Sequence, residues 1–214
     1  KIAVCISGGK DSMLMAKLLQ ELKLHGKVKF DLVFLVMNPG YNEDNWNIIL
    51  NNAKLLGIPI NVFESDIFNI VADVDKSPCY LCARMRRGYL YSHAKELGCN
   101  KIALGHNKDD VVETFFMSLL YEGRLNCFAP VSFLDRKKLY SIRPLMYVPE
   151  WECRSFVNKS DIHIVKNPCL ADGNTKRQET KELLAELSLR YDNLQEKVFG
   201  AIKRSSLKGW NHEE

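Results

Sequence analysis

The feature that most constrains this chain is an apolar strand that runs directly into a glycine-rich turn and then into an amphipathic helix. Residues 2–6 (IAVCI) form the apolar run, SGGKDS follows at residues 7–12, and apolar residues recur at helical spacing over residues 13–24. Further apolar runs at residues 30–37, 60–63 and 101–104 alternate with helical periods at residues 46–56, 79–97 and 109–121. Alternating strands and helices indicate βαβ units. We therefore predict an α/β fold, a Rossmann-like parallel sheet wrapped by helices.

The pattern changes in the last third of the chain. Residues 131–134 and 139–142 flank the charged sequence DRKK and predict a β-hairpin, whereas residues 149–159 and 175–203 carry helical periods. We place a domain boundary between the hairpin and the first of these helices. Residues 1–147 are predicted to form the α/β domain, and residues 148–214 a smaller, mainly helical C-terminal region.

Composition excludes several classes of protein. With 46% hydrophobic and 26% charged residues the chain is globular, and no apolar run approaches the roughly 18–20 residues that a membrane span needs. Seven cysteines are too few and odd in number for a disulfide scaffold, and no signal peptide precedes them. We therefore expect a cytoplasmic protein that uses thiols for metal or redox chemistry. A net charge of +4 permits an anionic partner. The sequence opens at Lys1, immediately before a strand, and we expect an N-terminal segment to be missing from it.

The SGGKDS turn has the properties of a phosphate-binding site. Its glycines let the backbone approach a ligand closely, successive N–H groups form an anion-binding nest, and the following helix contributes the positive end of its dipole. Ser7 and Ser12 add hydroxyl donors and Lys10 adds a cation, while Asp11 would be explained by a bound Mg²⁺. The spacing differs from those of Walker NTPases and of dinucleotide folds. The alternative is a tight strand-to-helix turn in which Ser12 caps the helix.

This turn resembles the signature of the PP-loop pyrophosphatases, a group within the adenine-nucleotide alpha hydrolase superfamily. Those enzymes cleave ATP between its α and β phosphates and adenylate an oxygen of the substrate. The segment GHNKDDVVET at residues 105–114 is similar to a second family motif, which faces the same nucleotide pocket. Alone, Asp109 and Asp110 at a helix N-terminus could be caps. Beside SGGKDS, a role in phosphate or Mg²⁺ binding is favoured, since both turns follow strands where open α/β sheets bind ligands.

The cysteines separate into two groups. Cys79 and Cys82 form a C-x-x-C pair, which is typical of a redox dithiol or of half a zinc site. Cys169 follows a proline in a polar loop, where no hydrophobic core explains a thiol. Three thiolates are one short of a zinc tetrad and no histidine adjoins them, so an iron–sulfur cluster with one open iron is favoured over Zn²⁺. Cys5 lies in the predicted buried strand, and core or incidental roles are expected for the others, Cys99, Cys127 and Cys153.

A second resemblance narrows the family. CYLCARMRRG at residues 79–88, SIRPL at residues 141–145 and the loop from Cys169 to residues 177–178 closely resemble the tRNA 2-thiocytidine synthetases (the TtcA family), over nearly the whole chain. The resemblance implies a 4Fe–4S cluster on Cys79, Cys82 and Cys169. It also implies a homodimer that takes tRNA as its substrate and receives sulfur from a donor such as a cysteine desulfurase. Some family members carry a second cysteine shortly after the third, which residues 170–172 lack.

Basic residues lie near these motifs. Single clusters of this kind are usually a solvated face, but beside a cluster and an ATP pocket they are expected to hold RNA phosphates, with a salt-dependent affinity. The residues assigned to RNA in this way are Arg84, Arg87, Lys137, Lys138 and Arg177. The target is expected to be a base in a single-stranded loop, because bases inside an RNA helix are not accessible to chemistry. Arg86, four residues after Cys82, is expected to point into the pocket and to stabilise an adenylate or a persulfide.

These features predict an ATP-dependent tRNA sulfurtransferase, which adenylates the C2 oxygen of an anticodon-loop cytidine and replaces it with sulfur through the iron–sulfur cluster. ATP, Mg²⁺ and the 4Fe–4S cluster are the expected cofactors. Catalytic roles are assigned to Asp11, Arg86 and Asp110. The predicted ATP site comprises Ser7, Gly8, Gly9, Lys10, Asp11, Ser12, Met37, Gly105, His106, Asp109 and Asp110.

Three alternatives stay open. A lysidine-synthetase-like enzyme would use the same loop to modify a tRNA base without a cluster. A cluster-dependent desulfidase would remove sulfur from a thiolated base and turn over without ATP. A zinc-binding or dithiol redox module would use the C-x-x-C pair as a switch.

Overall fold

A computed structural model describes residues 1–72, 78–165 and 175–210, without the side chains of residues 72, 78 and 79. The strands are β1 (Ile2–Ile6), β2 (Leu32–Asn38), β3 (Ile60–Glu64), β4 (Lys101–Ala103), β5 (Val131–Leu134) and β6 (Leu139–Ile142). The helices are α1 (Lys10–His25), α2 (Glu43–Leu55), α3 (Ile67–Ala72), α4 (Pro78–Glu96), α5 (Lys108–Glu122), α6 (Glu150–Lys159), α7 (Lys176–Ser188) and α8 (Leu194–Lys203).

Over the described ranges, these strands form one sheet in the order β3-β2-β1-β4-β6-β5. Neighbouring strands pair in parallel except β5, which runs antiparallel to β6. β1 lies between β2 and β4, with Ile2 opposite both Leu32 and Lys101. The chain passes from β1 to β2, which pairs with one side of β1, and β4 later pairs with the other side of β1. The turns after β1 and β4 therefore emerge side by side, at the edge where an open α/β sheet binds its ligands.

Helices cover both faces of the sheet, which explains why every residue of β1 is buried. Side chains of a strand alternate between the two faces. Val4 and Ile6 pack into a cluster with residues of α1 and α6, whereas Ala3 and Cys5 pack into a second cluster with residues of α4. The predicted α/β class and its parallel sheet are thus confirmed.

The C-terminal helices pack against the rest of the chain. Cys153 of α6 belongs to the same cluster as α1, and a third cluster joins Val111 of α5 to Leu184 of α7 and Phe199 of α8. The division at residues 147 and 148 stays a prediction. The stretch over residues 175–203 is two helices, because Asn193 adopts a left-handed backbone conformation (φ 55°) and starts a new one.

Two local features differ from the expectation. Helix α1 begins at Lys10, inside the glycine-rich turn, and the short helix α3 was not predicted from the sequence. Among the described residues, no helix has the length and apolar composition needed to cross a membrane.

Candidate active site

The turn between β1 and α1 has a backbone that only glycine fits. Gly8 adopts φ +80°, and a Cβ atom there would lie 2.7 Å from Val165 Cγ2 and 2.8 Å from Ile49 Cγ1. Ser12 closes the turn from the helix side, since its Oγ accepts the Ser7 N–H at 3.1 Å and donates to the Gly9 carbonyl at 2.9 Å. Ser12 therefore stabilises the turn by hydrogen bonds within it, and the N-cap of α1 is Gly9.

Among the described residues, no side chain caps the first turn of α1. Asn42, Asn107 and Thr175 cap α2, α5 and α7 by accepting a backbone N–H, whereas Gly9 offers no such acceptor to α1. The free N–H groups at a helix N-terminus, together with the helix dipole, attract an anion. This end of α1 is thus built to receive a negatively charged group.

The turn between β4 and α5 packs directly on the first turn. A Cβ atom on Gly105 would lie 3.1 Å from Ser12 N and 3.2 Å from the Asp11 carbonyl carbon, so glycine permits this approach. Asn107 and Asp110 form a capping box, in which each side chain accepts the backbone N–H of the other at 3.0 Å. Asn107 Nδ2 also donates to Asp11 Oδ1 at 3.1 Å, which joins the two turns.

Asn107 was not among the predicted site residues. Its signal was present in the sequence, since an asparagine just before a helix with an acidic residue three positions later is a capping pattern. The sequence held no signal for its contact with Asp11, because the two residues are 96 positions apart.

Ion pairs surround Asp11. Lys10 Nζ lies 3.0 Å from Asp11 Oδ2 and 2.9 Å from Glu150 Oε1 at the start of α6. Burial raises the pKa of the Glu150 carboxyl, but Lys10 and Lys181 outweigh it and the net pKa is lowered. Asp109 points toward the same helix, where its Oδ2 accepts the Glu150 N–H at 2.6 Å. Glu150 is a site residue that the sequence analysis missed.

Arg177 lies at this acidic edge, in contact with residues of α5. Its Nη1 is 2.7 Å from Glu113 Oε2 and 3.3 Å from Asp110 Oδ1, and its Nη2 donates to Thr114 Oγ1 at 3.1 Å. Burial raises the pKa values of Asp110 and Glu113, and Arg177 acts in the opposite direction on both. The structure thus places Arg177 next to predicted nucleotide-site residues, and its assignment to RNA stays a prediction.

His106 is held as a neutral ring. Its ring centroid is 4.7 Å from that of Phe128, and its buried Nδ1 has no hydrogen-bond partner among the described residues. Burial, followed by the charges of Arg143 and Arg177, lowers the pKa of His106 to about 4. The imidazole therefore carries no charge at neutral pH.

A cavity of about 50 Å³ opens at the ends of β1 and β2, and its lining includes Ser7, Met37, Tyr41 and Arg86. The Arg86 Nε is buried and has no hydrogen-bond partner in the described part of the chain. Burial raises the pKa of Tyr41, Arg86 opposes this, and Cys82 adds to it. Arg86 of α4 therefore lines the same cavity as Ser7 of the turn after β1, and Cys82 lies near Tyr41 of that cavity.

The cysteines that the structure describes differ in the burial of their thiols. The thiols expected in the core are buried, and burial raises the pKa of Cys5 and Cys153 to about 12. Cys82 is a free, half-buried thiol. The Cys79 side chain and all of Cys169 lie outside the described residues, and no group of three metal-binding side chains occurs among the residues that are described. The three-cysteine set stays a prediction.

The basic residues of α4 and of the hairpin are near one another. Arg84 and Arg87 are exposed on α4, and Lys137 Nζ donates to Ser92 Oγ of the same helix at 3.0 Å. Lys138 Nζ lies 5.8 Å from the Phe133 ring centroid. The Lys137 contact brings the β5–β6 turn beside α4.

Comparison with known proteins shows where this chain belongs. Residues 1–187 match the PP-loop domain family. The tRNA-cytidine(32) 2-sulfurtransferase of Cellvibrio japonicus is 37% identical over 210 residues, which are 95% of this chain and 68% of that protein. The enzyme of the same name from Dechloromonas aromatica is also 37% identical, over 94% of this chain and 72% of that protein.

Solved structures share the fold. The U34-tRNA thiolase NcsA from Methanococcus maripaludis, solved with its 4Fe–4S cluster, superposes with a TM-score of 0.71 at 24% identity, covering 94% of this chain and 69% of that chain. An NAD⁺ synthetase from Burkholderia pseudomallei superposes with a TM-score of 0.55 at 15% identity, covering 88% of this chain and 78% of that chain.

Proposed function

The chain belongs to the PP-loop family of tRNA-cytidine(32) 2-sulfurtransferases, and on that premise we propose that it thiolates a cytidine in a tRNA anticodon loop at the expense of ATP. One observation carries the proposal. The uncapped start of α1 and the carboxylate of Asp11 lie against the turn that presents Asp110, with Asn107 bonded to both acidic residues. An anion site beside carboxylates suits a metal-bound polyphosphate.

ATP occupies the anion site in this proposal. The N–H groups of the first turn of α1 and the Lys10 ammonium hold the phosphates, and Gly8 and Gly9 allow the backbone to approach them. Asp11 and Asp110 are the proposed Mg²⁺ ligands, because carboxylate oxygens are the donors that Mg²⁺ prefers. The bond between Asn107 and Asp11, and the capping box with Asp110, support this assignment.

The reaction begins when the C2 oxygen of the cytidine attacks the α-phosphate of ATP. Pyrophosphate leaves, and the oxygen is then part of an AMP leaving group that a sulfur nucleophile displaces from C2. Lys10 and the α1 N-terminus stabilise the negative charge that develops on the phosphates. His106 has a pKa of about 4, so it adds no positive charge beside the phosphates at neutral pH.

We propose that Cys79, Cys82 and Cys169 hold a 4Fe–4S cluster, which supplies the sulfur chemistry when bound. The surroundings of Cys82 support this: it is a free thiol near Tyr41, on the helix that also carries Arg86, whose buried Nε has no hydrogen-bond partner within the described ranges. Arg86 is positioned to stabilise an anionic group near the nucleotide. A separate sulfur donor such as a cysteine desulfurase and a homodimeric assembly belong to the same proposal.

The tRNA is held by its phosphates in this proposal, through Arg84 and Arg87 of α4 and Lys137 and Lys138 of the hairpin. All four are exposed, and the Lys137–Ser92 contact brings the hairpin beside α4. Phosphate contacts position an RNA without reading its sequence.

Anaerobic reconstitution tests the proposed function. The protein is loaded with iron and sulfide and incubated with ATP, Mg²⁺ and unmodified tRNA, and the nucleosides are analysed by mass spectrometry. We expect 2-thiocytidine that requires ATP, and we expect Cys82→Ala to lose both iron and product while Cys99→Ala, a buried core thiol, retains them. Thiolation by an iron-free protein, or turnover without ATP, would contradict the proposal.

A further inference from the structure

Asn107 uses both ends of its side-chain amide at the junction of the two turns. Its Oδ1 accepts the Asp110 N–H at 3.0 Å, and its Nδ2 donates to Asp11 Oδ1 at 3.1 Å. The residue is only 3% exposed, so water does not replace these partners. A buried asparagine with both groups satisfied holds a single orientation.

The orientation of this amide follows from its partners. Turning the amide over would place Oδ1 against the Asp11 carboxylate and Nδ2 against the Asp110 N–H, which sets two acceptors and two donors face to face. The capping box therefore fixes the direction in which the amide donates, and that direction is toward Asp11.

Three donors hold the Asp11 carboxylate: Lys10, Asn107 and the thiol of Cys153 on α6. Lys10 binds Oδ2 at 3.0 Å and Asn107 binds Oδ1 at 3.1 Å, so both oxygens are tied and the plane of the carboxylate is set. The Lys10 ammonium is a flexible point charge that Glu150 also attracts at 2.9 Å. Without the amide, Asp11 keeps Lys10 and the Cys153 thiol as donors but loses its bond to the turn that carries Asp110.

We infer that Asn107 is a positioning residue, which orients the Asp11 carboxylate toward the Mg²⁺ of bound Mg–ATP and keeps it in register with Asp110. The inference rests on the proposed function, in which these two carboxylates hold the metal. Asn107 touches neither the nucleotide nor the metal. Asn107 should therefore change the affinity for ATP in the presence of Mg²⁺, and not the affinity of the turn for the phosphates in its absence.

The test separates this role from helix capping. Asn107→Ser keeps an N-cap oxygen for α5, since serine caps as well as asparagine, but it has no donor long enough to reach Asp11. Asn107→Thr is a second variant with the same properties. Asn42→Ser is the matched control, because Asn42 caps α2 by the same kind of bond to the Asn45 N–H and does not contact Asp11.

Two measurements are made on the full chain. Thermal unfolding reports the cap, and calorimetric binding of ATP is measured once with Mg²⁺ and once with EDTA. We expect Asn107→Ser to weaken Mg–ATP binding about tenfold, the scale of a lost hydrogen bond to a charged group, and to change ATP binding in EDTA by less than about twofold. We expect the Tm to stay close to that of the unaltered protein, and Asn42→Ser to change neither binding constant.

The outcomes are distinguishable. Three results would each overturn the inference: equal loss of ATP binding with Mg²⁺ and with EDTA, unchanged Mg–ATP binding, or unfolding of both Asn107 variants. Asn107 would then have only a structural role or no role in nucleotide binding. If the unaltered protein shows no Mg²⁺-dependent ATP binding, the proposed function fails first. Mg–ATP binding that is intact in the unaltered protein and selectively weakened in Asn107→Ser supports both.

Discussion

Arg177 of α7 donates across 2.7 Å to the Oε2 of Glu113, a carboxylate whose side chain is only 6% exposed. Lys181, one turn later, lies 3.4 Å from the other oxygen of Glu113. A single buried carboxylate on α5 thus binds two cations of α7. This pairing fixes α7 beside the start of α5, which carries Asp110.

Glu113→Gln should loosen this attachment. The amide keeps the shape of the carboxylate but removes the charge nearest to Arg177 and Lys181, which then keep only Asp110 at 3.3 Å and Glu150 at 3.9 Å. We expect the free energy of unfolding to fall by about 2 kcal/mol, below the range for a fully buried pair because Arg177 is partly exposed. Chemical denaturation measures it, and hydrogen exchange should rise in residues 176–188.

An exposed pair on the same helix provides the control. Glu179 lies 2.8 Å from Lys176, and both side chains are more than half exposed. Glu179→Gln should leave the denaturation midpoint unchanged, since exposed ion pairs contribute little. Equal effects of the two substitutions would contradict a special role for Glu113.

His106 should make stability fall with acid over a defined range. Its pKa is about 4 in the folded chain, below the ordinary value of 6.5. Between pH 6.5 and 4, His106 is therefore protonated in the unfolded chain but neutral in the folded chain. The contribution of the neutral imidazole to the free energy of unfolding is complete above pH 6.5 and is lost as the pH falls toward 4. The loss should reach about 3 kcal/mol.

His106→Asn isolates this effect from the other groups that titrate. Buried Asp110 and Glu113 have raised pKa values, so their protonation acts in the opposite direction. The difference in unfolding free energy between the two proteins, followed from pH 7.5 to 4, should change only below about pH 6.5. A difference that does not depend on pH would show that His106 contributes packing alone.

The sheet and the turns that follow β1 and β4 were predictable because their signals are local. The apolar run of residues 2–6 and the glycines of residues 7–12 lie next to each other in sequence, and alternation of strand and helix periods specifies a parallel sheet. The C-x-x-C spacing is also a local signal, which is why this pair could be distinguished in the sequence from the buried Cys5 and Cys99.

The charges that complete the site could not be predicted in this way. Glu150 reaches Lys10 across 140 positions, and Arg177 reaches Glu113 across 64. In the sequence, Glu113, Glu150 and Arg177 look like the charged residues of any helix that faces solvent, so no periodicity distinguishes them. A basic residue in sequence carries no sign of the carboxylate that it faces, so the ion pair of Arg177 could not be predicted, and its assignment to RNA stays a prediction.

Gly8→Ala should disrupt the turn more than backbone strain alone explains. Gly8 and Gly57 both have positive φ, +80° and +64°, but a Cβ on Gly57 meets no atom within 4 Å, whereas one on Gly8 meets Val165 and Ile49. We expect Gly57→Ala to cost about 1 kcal/mol of stability and Gly8→Ala about 2 kcal/mol more, with loss of ATP binding. Denaturation and calorimetry measure both, and equal costs would contradict the clash.

Arg84 and Arg87 should contribute to tRNA affinity through charge alone. Replacing both by alanine removes two proposed phosphate contacts, and for single-stranded RNA each contact adds about 0.7 to the slope of log K against log salt. We therefore expect the slope to become shallower by about 1.4, with weaker binding of every tRNA tested. Lys54→Ala on α2, also exposed, is the control and should leave the slope unchanged. Filter binding over a series of salt concentrations measures it. An unchanged slope would remove α4 from the RNA-binding surface, because a phosphate contact cannot be lost without the release of fewer counterions.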